Sequence, residues 1–539
     1  MPGGGSGKPG MAAGEGPAYN TGMHSRGGWP RVVVPALLVI AVTTVPYVIA
    51  STLQPPGFVF GGFLLNPLDG FSYLAKMRQG AEGAWLFHLP YASDPGPGAF
   101  LFIYYLMLGH VASLLHLPLP WMFHLARAVG ALVLYVAAAA FLERFTVDGA
   151  GRRWAWLMVL MGSGWGWMGI PFGGLALDLW VPEAIPALAT YASAHFPLSM
   201  AFLCMAALCI FPGGHGRWRL VASAAFGLAL ALLQPFAVAT VLVVASLWIA
   251  SEIAASRRGP DDSPWRRGSI LALAAFLVGA APVLLYDVGA VLSHPALADW
   301  NRQNLTPSPG LWETALAFLP LLAMAAVAVL KREMWTSRAF RFVAVWGVLN
   351  LILLYAPFGL QRRLVLGVFF PLAALAAYGV TYFTRRRRWI PAAALLLTFP
   401  SHLVVLGAGL SAALTQNTVL VMTEDERTTY GWMAEHLPGG ALVLAGETSG
   451  NRIPAFADLR VVYGHPFETP SAAAQRAWVR AAFAWPGDSA GLIAALRARG
   501  VGYVYVGPEE RELGQLEWLS LLEPRFEAGD VAVYAVPPL

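Results

Sequence analysis

The residues best suited to chemistry lie in the run NPLDGFSYLAKMRQG, which follows the first long apolar segment. Its Asp69 would sit beside hydrocarbon, where a carboxylate costs free energy and is a functional candidate by default. If the run is helical, Asp69, Tyr73 and Lys76 share one side of an interfacial helix. This spacing favours Asp69 as a general base for an acceptor hydroxyl, with Lys76 or Arg78 close to an anionic group. The alternative is an amphipathic helix whose charges only face water.

A second polar group lies in the run WVPEAIPALATYASAHFP, which contains Glu183 and His195. His195 stands at the head of an apolar segment, where it could position a phosphate or a sugar hydroxyl. A histidine that is simply solvated near lipid headgroups is the alternative. The segment 288 to 311 carries a further polar and aromatic mixture suited to holding a sugar by stacking and hydrogen bonds, although any exposed loop has a similar composition. Its members are His294, Asp299, Trp300, Asn301 and Arg302.

Two adjacent arginines, Arg362 and Arg363, follow Gln361 in a loop expected on the outer side of the membrane. Lys and Arg are usually concentrated in cytoplasmic loops, so two arginines in an outer loop suggest a specific role. Because a guanidinium fork binds phosphate oxygens in bidentate geometry, the pair is a candidate clamp for a lipid phosphate or a pyrophosphate leaving group. Contact with anionic headgroups is the alternative.

The elements that must position these residues are membrane helices. Of the 539 residues, 57% are hydrophobic and 12% are charged, which leaves too little polar surface for a soluble protein. Apolar runs of roughly 18 to 22 residues, the length that crosses a bilayer, recur along the chain. The predicted spans are 32–51, 98–117, 121–142, 154–171, 195–212, 219–234, 236–255, 269–287, 312–330, 339–356, 364–383 and 389–409.

Basic loops between these spans predict the orientation. Arginine and lysine clusters near positions 217, 257, 331 and 385 recur one hairpin apart and mark the cytoplasmic side. Arg26, Arg31 and Arg144 conflict with twelve crossings, so we expect about eleven or thirteen, with 98–117 as the weakest span. The net charge of +5 is explained by this distribution, which excludes a nucleic-acid partner. Cys204 and Cys209 share one apolar segment and predict no disulfide framework.

The predicted organisation has three parts. Residues 1–28 form a disordered, glycine-rich tail, and 29–409 form a multi-pass module whose loop 52–97 faces outward. From about 420 charges become frequent, so 420–539 is predicted as a small, extracytoplasmic α/β domain. Within it we expect helices near 424–436, 470–484 and 488–499 and strands near 441–445, 461–463, 503–506 and 531–536.

An aspartate in a long first outer loop, many further spans and an α/β domain at the outer end together resemble the GT-C superfamily of polytopic glycosyltransferases. Similar runs are NPLDGFSYLAKMRQG, WVPEAIPALATYASAHFP, PFGLQRRLVLGVFFPLAALAA and GNRIPAFADLRVVYGHPFETP. The resemblance implies a multi-pass protein of the plasma (inner) membrane. It also implies transfer of a sugar, with inversion, from a polyprenyl-phosphate-linked donor to a glycan, lipid or protein acceptor at the outer face, with Asp69 in the family's acidic position.

Many members of that superfamily pair the first-loop aspartate with an adjacent acid, whereas here Gly70 follows Asp69. A divalent metal cofactor is therefore left open, and Asp94 or Glu183 is a candidate for the second carboxylate. The C-terminal domain could shape the acceptor side through Asn451, Arg452, His465 and Glu468. Ordinary loop structure in a small domain is the alternative.

Two other classes of function remain compatible with the sequence, since fold does not dictate activity. A lipid or polysaccharide transporter or flippase would also be polytopic with sparse charges. A non-catalytic protein of envelope assembly would tolerate loss of Asp69. We expect a transferase if Asp69, His195 and the arginine pair converge on one outward-facing cavity.

Overall fold

A computed structural model describes residues 30–147, 149–212, 216–256, 264–383 and 385–537 of the chain. The tail predicted for residues 1–28 lies outside the described residues. The first part of the described chain is almost entirely helical. Its helices are α1 (Pro30–Thr52), α2 (Pro67–Ala81), α3 (Ile103–Leu114), α4 (Leu119–Phe145), α5 (Ala150–Met161), α6 (Leu177–Trp180), α7 (Pro186–Ala192), α8 (His195–Ile210), α9 (Arg217–Leu233), α10 (Pro235–Ser256), α11 (Pro264–Ser293), α12 (Pro295–Gln303), α13 (Leu311–Val329), α14 (Arg338–Leu353), α15 (Phe369–Val380), α16 (Trp389–Leu396) and α17 (Phe399–Leu414).

Every predicted span contains a helix, and the protein is an integral membrane protein. Among the described residues, seven helical stretches are long and apolar enough to cross a bilayer by length and composition. Other apolar helices are shorter. The predicted span 98–117 is helical only over α3, and the predicted span 154–171 ends its α-helix at Met161. The adjoining predicted spans 219–234 and 236–255 are separate helices, because α9 ends at Leu233 and α10 begins at Pro235.

The C-terminal domain is an α/β unit. Its strands and helices are β2 (Val421–Thr423), α18 (Glu424–His436), β3 (Leu442–Leu444), α19 (Glu447–Phe456), β4 (Arg460–Val461), α20 (Ala472–Phe483), α21 (Ser489–Ala498), β5 (Tyr503–Val506), α22 (Pro508–Leu513), β6 (Glu523–Ala528) and β7 (Val531–Ala535). The strand order is β4-β3-β5-β7-β6, with β3 parallel to β4 and β5, and β7 antiparallel to β5 and β6.

Alternation along the central strands separates two apolar layers. Val443 and Tyr505 belong to a cluster with residues of α18 and α19. Their neighbours Leu442, Leu444 and Val504 belong to a second cluster with residues of α20 and α21. Because side chains of a strand point alternately to opposite faces, helices cover the sheet on both sides.

The outer loop and the C-terminal domain share a core. Strand β1 (Phe58–Phe60) of the loop pairs antiparallel with β2, and Val461 donates its backbone N–H to the carbonyl of Pro90 at 2.9 Å. Phe71 and Tyr91 of the loop belong to the same apolar cluster as Val443 of the sheet. The loop and the domain therefore lie on the same side of the molecule.

Arginines gather at the other end of the helical bundle. Arg144 and Arg219 donate hydrogen bonds to backbone carbonyls at or just after the end of α8. Arg341 pairs with Glu252 in the last turns of α10. The opposite ends of these helices, at His195 and Gln234, line a cavity beneath the C-terminal domain. The bundle thus has one arginine-rich end and one end that carries the outer loop.

Candidate active site

Helix α2 confirms the predicted helical spacing. It runs from Pro67 to Ala81, so that Asp69, Tyr73 and Lys76 lie along one side. Close packing fixes the helix against α3, because a Cβ atom at Gly80 would overlap the carbonyl oxygen of Leu106. Helix α2 is therefore a rigid support for the side chains it presents.

Asp69 lies next to a histidine of the C-terminal domain. Its Oδ1 is 3.3 Å from Nε2 of His465, whose side chain is 2% exposed, while the Asp69 side chain is 42% exposed. Asp69 lines the cavity. The carboxylate is thus held on one side by protein and open on the other, as a proton acceptor for a bound hydroxyl must be.

Lys76 is engaged by a second residue of the same domain. Its Nζ lies 2.8 Å from both carboxylate oxygens of Glu468 and 2.5 Å from the hydroxyl of Ser72, which also donates to Glu468 at 2.6 Å. The ammonium is fully buried and lies 4.4 Å from the ring centroid of Phe102. Lys76 therefore does not line the cavity itself but contacts Glu468, which does.

Arg363 provides the positive charge of the cavity. Its Nη1 donates to Oε1 of Glu183 at 2.5 Å, and the Glu183 side chain is only 3% exposed. The guanidinium is 24% exposed. Since a buried carboxylate fixes one edge of the fork and Arg363 lines the cavity, its remaining N–H groups are suited to an anionic oxygen.

Aromatic rings pack between these charges. Tyr73 stacks on Tyr105, with centroids 4.4 Å apart, and meets the ring of His195 edge to face at 5.4 Å. Nδ1 of His195 lies 2.6 Å from the hydroxyl of Tyr105. Burial and then the charge of Asp69 raise the pKa of Tyr73 well above its usual value, so the phenol stays protonated.

Asp69, Tyr73, His195, Arg363 and Glu468 meet in one cavity of about 210 Å³. Lys76, Glu183 and His465 contact these residues but do not line the cavity. Its polar lining comprises Asp69, Tyr73, His195, Gln234, Asp287, Asn301, Asn304, Arg363 and Glu468. Its apolar wall consists of Phe102 and of residues at the adjoining ends of α9, α10 and α11, including Leu233, Phe236 and Val283. The cavity thus places charged and polar side chains directly beside an apolar surface.

The surroundings keep Asp69 ionised. Burial alone would raise the pKa of Asp69, but the adjacent imidazole of His465 and the charges of Arg363 and Lys76 lower it below the usual value. Asp69 and Glu468 do not fit a divalent cation. The charge of Glu468 is neutralised by Lys76, and the positive charges of Arg363 and Lys76 already act on Asp69. Among the described residues, no group of three or more His, Cys, Asp or Glu side chains could hold a metal ion.

Three of the predicted site residues lie elsewhere. Arg78 pairs with Glu82 at 3.6 Å, and Asp94 accepts the backbone N–H of Gly96 at 3.0 Å. The guanidinium of Arg362 lies 4.6 Å from the ring of Trp180. None of these three described residues lines the cavity, so the arginine pair is divided between two environments.

Besides Asp69, the carboxylates that line the cavity are those of Glu468 and Asp287; Asp94 does not line it, and Glu183 is paired with Arg363. Sequence patterns give no direct signal for this, because Glu468 and His465 are almost 400 positions from Asp69. The one available signal was the polar run GHPFET in an otherwise apolar stretch of the C-terminal domain.

The polytopic bundle, the acidic residue on the loop 52–97 and the α/β domain packed over that loop form the architecture that the sequence resemblance implied. The resemblance seen in the sequence is thereby confirmed for the fold. Comparison with known protein families finds no match, and comparison with curated proteins finds none.

Three solved structures show the likeness. ArnT from Cupriavidus metallidurans in the apo state is 13% identical, with a TM-score of 0.52 over 93% of this chain and 97% of that chain. The same protein bound to undecaprenyl phosphate is 14% identical, with a TM-score of 0.51 over 95% of this chain and 99% of that one. The mycobacterial arabinofuranosyltransferase AftD is 18% identical, with a TM-score of 0.53 over 94% of this chain and 40% of its own.

Proposed function

We propose that the protein is a membrane glycosyltransferase that moves a sugar from a polyprenyl-phosphate-linked donor to an acceptor hydroxyl at the extracytoplasmic face. The observation that carries this proposal is the convergence of Asp69, His195 and Arg363 on one cavity with an apolar wall. That convergence separates a transferase from a protein whose charges only face water. The GT-C fold supports the same class of reaction.

The proposed reaction is a single displacement with inversion. Asp69 accepts the proton of the acceptor hydroxyl, and the acceptor oxygen forms a bond to the anomeric carbon. The bond between that carbon and the phosphate oxygen breaks, and the electron pair leaves with the polyprenyl phosphate. Because Asp69 is already ionised and faces the cavity, no prior proton transfer is needed.

Arg363 is the proposed partner of the departing phosphate. A developing negative charge in a cavity of low polarity is stabilised most by a cation already in place. Glu183 holds the guanidinium at 2.5 Å, so little reorganisation is required when the charge appears. His195 and Tyr73 line the space between Arg363 and Asp69 and are proposed to bind the sugar or its phosphate.

The apolar wall is suited to the carrier lipid. The ends of α9, α10 and α11 present Leu233, Phe236 and Val283 to the cavity, so a prenyl chain entering there stays in an apolar environment. The ArnT structure with the same fold is bound to undecaprenyl phosphate, a lipid of this chemistry. Trp300 and Asn301 of the α12 region line the same cavity and are proposed to contact the sugar.

The extracytoplasmic location follows from charge. Arg144, Arg219 and Arg341 mark the opposite end of the bundle, and positively charged loops remain in the cytoplasm. The cavity and the C-terminal domain then face outward. Polyprenyl-linked donors on that side would be transferred without a nucleotide-binding site.

The test compares lipid-linked sugars and envelope glycans by mass spectrometry in cells with and without the gene. We expect the donor to accumulate and one glycan modification to disappear, with restoration by the parent gene. Complementation by Asp69→Asn should fail at parental expression, whereas Asp530→Asn, which alters an exposed aspartate between β6 and β7, should succeed. Full complementation by Asp69→Asn would contradict the proposal, and donor accumulation on the inner leaflet alone would favour a flippase.

A further inference from the structure

The segment 464–469, GHPFET, is a rigid loop of the C-terminal domain that reaches the catalytic cavity. Its backbone folds around Thr469, whose hydroxyl accepts the N–H groups of Gly464 at 3.4 Å and His465 at 3.2 Å. Gln303 of α12 donates to the carbonyl of Thr469. A Cβ atom at Gly464 would overlap the carbonyl oxygen of Gly450 in α19. Side-chain, backbone and packing contacts therefore all fix the loop.

The loop also fixes the protonation of one ring nitrogen. Nδ1 of His465 accepts the backbone N–H groups of Phe467 at 3.2 Å and Glu468 at 3.1 Å. A nitrogen that accepts two hydrogen bonds carries no proton in the neutral imidazole, so the proton resides on Nε2. Nε2 is the atom that lies 3.3 Å from Oδ1 of Asp69.

The imidazole has little freedom to move. Its side chain is 2% exposed, and its ring packs against that of Tyr91 at an interplanar angle of 30°, with centroids 5.9 Å apart. The hydroxyl of Tyr91 donates to the carbonyl of Asn451 in α19 at 3.2 Å. Nε2 is buried and does not have the geometry of a complete hydrogen bond with any partner in the described chain. Catalytic hydrogen bonds are often long before substrate binds and tighten afterwards.

From this geometry we infer that His465 is a positioning residue for Asp69: its Nε2–H orients the carboxylate toward the acceptor and stabilises the ionised form. The inference rests on the proposed function and adds a residue that the general reaction does not require. His465 itself is not the base, because its Nε2 carries the proton and its Nδ1 is occupied by the loop. The arrangement is that of a catalytic base whose orientation is fixed by a second group: Asp69 is the base, and His465 orients it.

A second contact of the same loop works in parallel. Glu468 binds Ser72 and Lys76 on α2, which lie three and seven positions after Asp69. The loop therefore contacts α2 at two points. His465 contacts Asp69, and Glu468 contacts Ser72 and Lys76 one and two turns further along the helix. The C-terminal domain completes the catalytic centre as well as covering it.

The experiment uses the full chain in membrane vesicles that contain the cell's own lipid-linked donor, and it measures transfer from pH 5 to pH 8. For His465→Ala we expect the acidic limb of the profile to move to higher pH, because burial raises the pKa of Asp69 and the imidazole that helps to lower it is lost, leaving only the charges of Arg363 and Lys76. Activity at pH 5 relative to pH 8 should therefore fall below the parental ratio. His465→Gln, which can donate an N–H, should recover part of this loss.

Two controls make the result decisive. His436→Gln alters an exposed histidine of α18 and should reproduce the parental profile. Binding of undecaprenyl phosphate, used as a probe, should be retained by His465→Ala, because that ligand is assigned to Arg363. An unchanged pH profile in His465→Ala, or a uniform loss without rescue by glutamine, would overturn the inference. Asp69→Asn assayed alongside distinguishes the outcomes, because its full activity would instead overturn the proposed function.

Discussion

At the scale of residues, charge pairing singles out Asp69. Glu183 pairs with Arg363 and Glu468 with Lys76, at distances of 2.5 and 2.8 Å. Asp69 has only an imidazole as its immediate partner. Of these three carboxylates it is therefore the one whose negative charge is not neutralised by its own cation, and the one free to accept a proton.

The pair of Arg363 and Glu183 permits a test that separates stability from function. Arg363→Gln leaves the buried Glu183 without a cation, which should destabilise the protein by roughly 3–5 kcal/mol. Adding Glu183→Gln removes that charge and should restore most of the thermal stability, measured by tryptophan fluorescence in detergent. Binding of undecaprenyl phosphate should remain about 10- to 100-fold weaker in both variants, because the phosphate contact is lost.

Arg362→Gln is the matched comparison for this test. Its guanidinium lies on Trp180 and outside the cavity, so we expect its loss to weaken phosphate binding less than the loss of Arg363. Equal losses would show that both arginines contact the lipid phosphate.

At the scale of elements, α19 connects the sheet of the C-terminal domain to α2, the helix that carries Asp69. Asn451 donates its side-chain N–H to the carbonyl of Leu68, at the start of α2, at 3.3 Å. Arg452 is almost completely buried and donates to the carbonyl of Val421 at 2.9 Å. One short helix therefore sets the position of α2 relative to the domain that supplies His465.

A carboxyl group of α22, that of Glu510, lies against the N-terminus of α19 and titrates near neutrality. Glu510 accepts N–H groups from Gly446 at 2.7 Å and Gly507 at 2.8 Å, and burial, followed by repulsion from Glu509, raises the pKa of Glu510 to about 7. The folded state therefore holds this proton more tightly than the unfolded state. The stabilisation is complete below the unfolded pKa of 4.5 and is lost as the pH rises to about 7.

We predict that Glu510→Gln flattens the pH dependence of stability between pH 4.5 and 7, which in the parent should amount to roughly 3 kcal/mol at most. Thermal unfolding of the full chain at pH 5 and pH 8 measures this difference. Glu512→Gln, which alters an exposed glutamate of α22, serves as the comparison. A parental pH dependence in Glu510→Gln would contradict the assignment.

Local signals predicted some of these elements well. The capping residues Thr423 and Glu426 gave the helix 424–436, which is observed as α18 with both capping hydrogen bonds. Strand β5 occupies the predicted residues 503–506. Helix α19 was not predicted, because Gly450 and Pro454 interrupt any helical pattern and its partners lie in α2.

At the scale of the whole molecule, the arginine-rich end predicts which side faces the cytoplasm. A cysteine at Asp530→Cys should react with a membrane-impermeant maleimide in intact cells, because the C-terminal domain is expected outside. Arg386→Cys, on the exposed loop at the other end, should react only after permeabilisation. Cys204 and Cys209 lie in the membrane helix α8 and should give little background. The reverse labelling pattern would contradict the proposed orientation.

The difference between local patterns and long-range packing explains which features could be predicted from the sequence. Hydrophobic length gave the helices, and helical spacing placed Asp69, Tyr73 and Lys76 together, because both depend on neighbours in the chain. Arg363 was detected because it breaks the charge rule. The roles of His465 and Glu468 depend on packing between the tail domain and the first outer loop, which no local pattern encodes.

The most direct test of the central claim is turnover by the purified full chain in lipid vesicles. The substrate is the lipid-linked sugar pool extracted from cells that lack the gene, and the measured quantity is polyprenyl phosphate released in the presence of the acceptor fraction. We expect release by the parent and by Asp530→Asn, and a loss of at least about 100-fold in Asp69→Asn. Parental release by a folded Asp69→Asn variant would contradict the account.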